Sequence, residues 1–326
     1  MVFFESILPS AIAIATVFLF GCTGEIIMEK AGHLNLGVPG VMCCGTFGGC
    51  LGVYIFLSGF SDPTTAPYIL VVFMAILFSV IMSAFAGAIY ALLTVTLKCN
   101  QNITGLALTT FGAGFTEFFM TILNKADTNN LIGKGSVIIR SKMPIGSTTG
   151  VFGTIFFNHG ILVYLAIVVA IVAAILLKKS RIGLNLRAVG ESPATADAAG
   201  INVSKYKWAA ILSGSSIAGL GGLFYVLDFV NGSWENSSTI QSFGWMAVAL
   251  VIFCVWKPSI AILGSIIFGI FFILPSYINV SNVVSKIFSM LPYVVTIVVL
   301  IVTSIVGKKS VQPPAGLGVS YFREER

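Results

Sequence analysis

Residues 187–200, with the sequence Arg-Ala-Val-Gly-Glu-Ser-Pro-Ala-Thr-Ala-Asp-Ala-Ala-Gly, form a polar segment between apolar runs at 160–177 and 207–228. Basic residues surround this segment at Lys178, Lys179, Arg181, Arg187, Lys205 and Lys207. Membrane proteins carry their excess of Lys and Arg in cytoplasmic loops. The pattern therefore predicts two transmembrane helices joined by a cytoplasmic loop at 178–206.

A short helix is predicted inside this loop, over residues 192–199. Ser192 can cap its first turn, and Pro193 suits the first helical position. Gly200 is placed to end it, after an interior rich in alanine at Ala194, Ala196, Ala198 and Ala199. Two turns of helix are too short to be stable alone. We therefore expect another protein to hold this helix; the alternative is a solvated loop helix.

The composition indicates a membrane protein with little soluble mass. Hydrophobic residues make up 57% of the 326 residues and charged residues only 9%, whereas soluble domains carry about 25% charge. The net charge of +6 comes from short loops and the tail, so it indicates topology and not nucleic-acid binding. The six cysteines lie in or beside apolar runs, which favours small buried side chains over metal ligands.

Nine apolar segments are long enough to be considered as membrane spans. They are residues 6–24, 34–58, 66–97, 102–124, 160–177, 207–228, 243–256, 258–278 and 287–306. A span needs about 20 apolar residues, so 66–97 is long enough to be one tilted helix or two elements. The sequence thus predicts an all-α, polytopic protein with nine or ten transmembrane helices in one domain over residues 1–326.

The positive-inside rule also orients the remaining segments. The tail at 307–326 is predicted to be cytoplasmic because it contains Lys308, Lys309, Arg323 and Arg326. The loop at 125–159 then faces outward, against the rule, although it contains Lys125, Lys134, Arg140 and Lys142. The density of basic residues at 178–206 and in the tail decides the orientation.

The sequence has no motif for catalysis or for nucleotide binding. No G-x-x-x-x-G-K-[ST] phosphate loop is present, and neither H-E-x-x-H nor G-x-S-x-G occurs. His33 and His159 are the only histidines. We therefore predict no catalytic residue, no metal site and no cofactor, which disfavours a membrane-embedded enzyme.

Residues 24–40 are the second unusual stretch, with four glycines, one proline and several polar residues between two apolar runs. Broken helices at membrane depth are tolerated where they are buried or line a cavity. One hypothesis places Asn35 on a central substrate pathway. The alternative is an ordinary cytoplasmic turn that carries Glu25, Glu29 and Lys30.

Glu117 is the only carboxylate well inside a clear apolar span. A charge inside the membrane is costly, so it suggests function. Thr109 and Thr110 precede it by two helical turns and lie on roughly the same face. We predict that Thr109, Thr110 and Glu117 contact substrate; the alternative is that Glu117 bonds a cation or hydroxyl of a neighbouring helix.

Four stretches resemble one family over nearly the whole chain: residues 183–203, 25–40, 243–258 and 313–318. They are similar to permeases of ABC importers of the ribose and branched-chain amino acid type, and more narrowly to sugar and nucleoside permeases that work with basic-membrane-protein lipoproteins. The chain departs from the family pattern at Pro39, where an acidic residue is usual, and at Thr109, where Asn is common. Ser242 and Cys254 replace usual glycines.

The resemblance implies a type II-like importer fold in which an ATPase subunit grips the cytoplasmic helix and binds ATP in its own site. The coupling residues would then be Gly190, Glu191, Ser192, Pro193, Ala194, Ala196, Ala199 and Gly200. It further implies a second permease subunit, commonly a paralogue, in a bacterial cell membrane. An extracytoplasmic binding lipoprotein would deliver nucleosides, with simple sugars second and branched-chain amino acids third. A stand-alone secondary transporter of a small polar solute is the alternative, but Glu117 alone is thin support for a coupling-ion site.

Overall fold

The computed structural model describes residues 2–141, 153, 155–278, 282–306 and 312–322. Within these residues the chain forms helices and connecting loops, with no β-strand. This confirms the predicted all-α class. Five of the basic residues used to orient the chain lie outside the described residues: Lys142, Lys308, Lys309, Arg323 and Arg326.

The α-helices in chain order are α1 Val2–Lys30, α2 Val38–Ser58, α3 Tyr68–Ala91, α4 Gln101–Ala126, α5 Leu131–Ile139, α6 Ile161–Lys179, α7 Arg181–Glu191, α8 Pro193–Ala198, α9 Val203–Phe224, α10 Ser237–Phe253, α11 Pro258–Ile278 and α12 Asn282–Val306. Short π-helical turns extend α3 over Leu92–Thr96 and α9 over Tyr225–Phe229. A 3₁₀ turn lies at Pro63–Thr65.

Eight helices in the described part of the chain are long and apolar enough to cross a membrane. They correspond to eight of the nine predicted segments. The ninth, predicted at 243–256, is the shorter apolar helix α10. The long run at 66–97 forms one continuous helix with its π-helical turn, so it does not supply a tenth span.

The first helix is longer than the sequence predicts, because it continues past residue 24 to Lys30. Glu25 and Glu29 on its last two turns are 0% and 2% exposed. Their hydrophilic side chains suggested a loop, but neighbouring helices enclose them. The helix break is therefore confined to residues 31–37.

Helices α1, α2 and α9 form the centre of the bundle, and small residues let their backbones meet. A Cβ atom on Gly45 of α2 would overlap the backbone of Gly219 of α9. In a membrane the hydrophobic effect does not drive helices together, so close van der Waals packing of this kind stabilises their association instead. A compact three-helix core results, with α3, α10 and α11 packed around it.

Five connections lie at one end of the bundle, which we call the basic end. They are residues 31–37, 97–100, 180–202 and 254–257, together with the described tail at 312–322. The links at 59–67 and 230–236 lie at the opposite end, together with the described residues 127–141 and 155–160 of the link between α4 and α6. The contacts thus group all described connections in the way that alternating membrane crossings require.

Candidate functional site

The predicted short helix at 192–199 is present as α8, Pro193–Ala198. The hydroxyl of Ser192 accepts a bond from the backbone N–H of Thr195 at 3.4 Å. Gly200 follows with φ of +82°, a conformation that glycine adopts without strain. Sequence therefore specifies both ends of this helix.

Three segments that are remote in sequence meet around α8. The N–H of Gly316 donates to the carbonyl of Gly190 at 2.9 Å, and the N–H of Gly318 donates to the carbonyl of Gly32 at 3.3 Å. A Cβ atom on Gly190 would overlap the carbonyl oxygen of Lys30. We name this structure the coupling assembly: the turn at 31–37, helices α7 and α8, and the tail at 312–322.

The tail is fastened to the coupling assembly by side chains as well as backbone. The hydroxyl of Tyr321 donates to Asp197 of α8 at 2.9 Å, and the N–H of Ala315 donates to Glu191 at 3.3 Å. Gln101, at the start of α4, accepts from the N–H of Leu34 at 3.0 Å and donates to the carbonyl of Val319 at 3.4 Å. The tail therefore ties α8 to the membrane helices.

The predicted coupling residues divide into an inner and an outer set. Gly190 is buried, and Ala196 is 4% exposed because it packs with Val189 and Val203. Ser192 and Pro193 are half-buried. The exposed members of this segment are Glu191, Ala194, Thr195, Ala198, Ala199 and Gly200. We call these exposed residues the outer set, because a partner can reach them. Gly190 and Ala196 form the inner set and fix the position of the helix.

Beneath the coupling assembly lies a group of buried ionisable residues whose burial and proximity the sequence does not predict: Glu25, Glu29, His33 and Lys207. The N–H of Asn35 donates to Glu25 at 3.0 Å, and the indole N–H of Trp256 donates to Glu29. Burial, and then the nearby charge of Lys207, hold the pKa of His33 well below its usual value. The group joins α1, α9 and the link after α10.

Asn35 and Thr109, two of the predicted pathway residues, are inside the protein. Asn35 is 0% exposed, and its side-chain oxygen accepts from the N–H of Gly37 at 2.9 Å. The hydroxyl of Thr109 donates to the carbonyl of Leu36 at 2.8 Å. Both side chains therefore hold the turn between α1 and α2 in place.

Thr110 and Glu117, the other two predicted pathway residues, lie on an open strip of small and polar residues. We call this strip the polar face; it comprises Thr110, Gly114, Glu117 and Thr121 of α4 with Ser238, Gln241, Ser242 and Trp245 of α10. No atom outside α4 comes within 4 Å of a Cβ atom built on Gly114. The structure thus separates Thr110 from its sequence neighbour Thr109.

Glu117 also links the two helices of the polar face. Its carboxylate accepts from the N–H of Ser237, the first residue of α10, at 2.9 Å. A carboxylate at a helix N-terminus is stabilised by the unpaired N–H groups there. The partner of Glu117 is therefore a backbone amide of the neighbouring helix and not a hydroxyl or a cation.

Aromatic rings lie beside the polar face on the outer part of α4. Phe115 and Phe119 have ring centroids 4.6 Å apart, and Phe47 of α2 lies 5.7 and 5.4 Å from them. Phe111 and Phe118 extend this group and are exposed. Flat apolar surfaces and hydroxyl groups thus occur side by side.

Comparison with known proteins gives a consistent result over most of the chain. A family model described as the permease component of branched-chain amino acid transport systems matches residues 6–300. The nucleoside ABC transporter permease protein NupC of Lactococcus lactis subsp. cremoris (strain MG1363) is 32% identical over 329 residues, covering 98% of each chain. The guanosine ABC transporter permease protein NupQ of Bacillus subtilis (strain 168) is 29% identical over 336 residues, covering 98% of this chain and 97% of NupQ.

A second permease of the same Lactococcus strain also matches. The nucleoside ABC transporter permease protein NupB is 24% identical over 234 residues, which cover 69% of this chain and 60% of NupB. One organism therefore has two proteins, both named as nucleoside permeases, that are similar to this chain.

Proposed function

The chain belongs to the family of permease components of branched-chain amino acid transport systems, and from that membership we propose that it imports nucleosides with energy from a separate ATPase subunit. It is a multi-pass protein of the cell membrane and a transport subunit, not an enzyme. The single observation that carries the coupling proposal is the coupling assembly, in which a solvent-exposed two-turn helix is fixed to the membrane helices.

The ATPase would grip the outer set of α8. The outward surface of α8 is formed largely by alanine, which lets the backbone of a partner approach closely. The inward surface of α8 packs against other residues of this permease chain. The sequence has no phosphate loop, so ATP would bind in the partner. Movement of the ATPase subunits would then pass through Gly190 and Lys30 into α1, and through Gln101 into α4.

The polar face would form one wall of the substrate pathway, with a second permease subunit as the opposite wall. Polar groups that face lipid tails are costly because no water is present to bond them. A strip of hydroxyl groups beside Glu117 is therefore better placed against protein or water than against lipid. The pair NupB and NupC supports a paralogue as the second subunit.

Nucleosides fit the chemistry of this wall better than simple sugars. The bases offer flat rings that stack on exposed aromatic side chains, and the ribose hydroxyls match Thr110, Thr121 and Ser242. The names of NupC and NupQ agree with this substrate class, and simple sugars are the second candidate. A binding lipoprotein would deliver the substrate at the opposite end, over residues 125–159 and 229–242.

A transport assay in proteoliposomes tests the proposal against the secondary-transporter alternative. The chain would be purified with its ATPase and any second permease, and labelled guanosine uptake measured with the binding protein present. We expect uptake that needs ATP, is inhibited by vanadate and is displaced by nucleosides but not by glucose. Uptake by this chain alone, driven by an ion gradient, would contradict the proposal.

A further inference from the structure

A groove of about 670 Å³ opens at the basic end, on the side of the coupling assembly that faces α6 and α11. Its floor is Trp256 and Pro258, which are both buried. The groove is separate from the polar face, because none of the residues that line it belongs to α4 or α10.

Positive charge converges on this groove from four parts of the chain. Its five basic residues are Lys30, Lys178, Lys179, Arg187 and Lys257, and Glu191 is its only acidic one. None of the five forms an ion pair in the described part of the chain. Like charges this close repel one another, and a bound anion would offset that repulsion.

The wall of the groove is apolar and opens to the membrane. Ile171 and Ile175 of α6 are 45% and 51% exposed, and Ile262 of α11 lies opposite them. The cationic groups cluster where these helices end. A ligand that fits both parts has an anionic head and at least one hydrocarbon chain parallel to the helices.

We propose that this groove binds one anionic phospholipid of the adjacent leaflet. The phosphate lies among Lys30, Lys178 and Lys257, and an acyl chain lies along Ile171 and Ile175. Basic pockets between transmembrane helices at the cytoplasmic surface bind such headgroups. Because Arg187 and Glu191 belong to α7, the lipid contacts the coupling assembly directly.

An acidic segment of the ATPase is a weaker fit to the same surface. An acidic peptide would pair with the basic side chains of the groove. It would make no use of the apolar wall at Ile171 and Ile175, which would still face the lipid tails. A soluble phosphate would likewise use only the polar half. The apolar wall is what favours a lipid as the source of the phosphate group.

Native mass spectrometry of the full chain in detergent, titrated with phosphatidylglycerol or with phosphatidylcholine of the same acyl chains, tests the proposal. We expect one tightly bound phosphatidylglycerol per chain, with an affinity about ten-fold or more above that of phosphatidylcholine. The variant Lys178→Gln/Lys179→Gln should lose that preference. The matched control Arg181→Gln/Lys205→Gln removes two exposed charges at the same end but outside the groove, and should keep it.

Four results would overturn the proposal, and the last of them concerns the ATPase. The first is equal affinity for the two lipids, and the second is equal loss of affinity in both double variants. The third is displacement of phosphatidylglycerol by millimolar glycerol 3-phosphate, which would assign the site to a soluble anion. If Lys178→Gln/Lys179→Gln keeps the lipid but no longer co-purifies with the ATPase, the groove belongs to the partner subunit and the lipid assignment is wrong.

Discussion

The first residue and the middle of α4 show two different ways of using polar residues in one membrane helix. At its first residue, Gln101 is buried and bonded to two backbone segments of the coupling assembly. Between about two and a half and four and a half turns later, Thr110 and Gly114 are exposed and Glu117 is half-buried on the polar face. The coupling assembly is closed by backbone contacts, whereas the polar face is open. We propose that the closed part transmits force and that the open part contacts the solute.

The largest effect is expected at Gly190, where the coupling assembly is tightest. Gly190→Ala places a methyl group against the carbonyl of Lys30, and overpacking of this kind costs about 1–3 kcal/mol. We expect a lower unfolding temperature and a loss of ATP-driven uptake of more than about ten-fold.

The matched control for Gly190→Ala is Gly59→Ala, at the opposite end of the bundle. Gly59 has φ of −79°, and a Cβ atom there meets its nearest neighbour, the carbonyl of Phe56, at 3.5 Å. Uptake and thermal stability should both stay near wild type. Equal losses in the two variants would show that the coupling assembly is no tighter than an ordinary loop.

The next largest effect is expected from Glu117→Gln, which removes the charge that caps α10. Hydrogen bonds to a charged group contribute about 1.5–3 kcal/mol, so uptake should fall about ten-fold. Glu235→Gln removes an exposed carboxylate two residues before Ser237 and is the control. Normal uptake by Glu117→Gln would contradict the proposal that the charge of Glu117 contributes to the substrate pathway on the polar face.

Thr109 and Thr110 allow the comparison to be made between adjacent residues. Thr109→Val loses the bond to Leu36, which should cost about 1 kcal/mol of stability with unchanged preference between guanosine and other nucleosides. Thr110→Val should leave stability unchanged within about 0.5 kcal/mol but lower uptake several-fold. Thermal unfolding measures the loss of stability, and competition assays measure substrate preference, for both variants. A loss of stability in Thr110→Val and a loss of uptake in Thr109→Val would contradict the assignment.

The smallest effect is expected from Tyr321→Phe, which removes the hydrogen bond from the Tyr321 hydroxyl to Asp197. A partly exposed hydrogen bond contributes about 0.5–1.5 kcal/mol, so coupled ATP hydrolysis should fall by about two- to five-fold. Tyr293→Phe, at an exposed position of α12, should have no effect. An unchanged hydrolysis rate in Tyr321→Phe would mean that the backbone bonds of Gly316 and Gly318 suffice to hold the tail.

Hydropathy and capping residues predict most of the helices, including α8, because those signals are local. They place α10 at 243–256, whereas it spans Ser237–Phe253. Its polar first turn is held by Asn236, whose side chain accepts from the N–H groups of Ser238 and Thr239. Hydropathy does not register such a turn, although the Asn-Ser-Ser-Thr sequence is itself a capping signal.

Contacts between remote segments could not be predicted from one sequence. The polarity of Glu25 and Glu29 is typical of loop residues. In the structure both are buried by the surrounding helices, and Trp256 donates a hydrogen bond to Glu29. The pairing of Gly316 with Gly190 is made by backbone atoms, so neither residue type carries a signal for it. The sequence predicts Asn35 and Thr109 as pathway residues, and in the structure both side chains bond to the turn at 31–37.

We propose that the exposed residues of α8 form the surface through which ATP hydrolysis is coupled to transport. Ala194→Trp places an indole ring at an exposed residue of this set, and Leu184→Trp places the same ring at an exposed residue of α7. Co-purification of the ATPase and substrate-stimulated ATP hydrolysis would be measured for both variants. We expect Ala194→Trp to abolish both ATPase binding and stimulated hydrolysis while the chain stays folded, and Leu184→Trp to retain both. Normal ATPase binding and stimulation in Ala194→Trp would contradict the proposal.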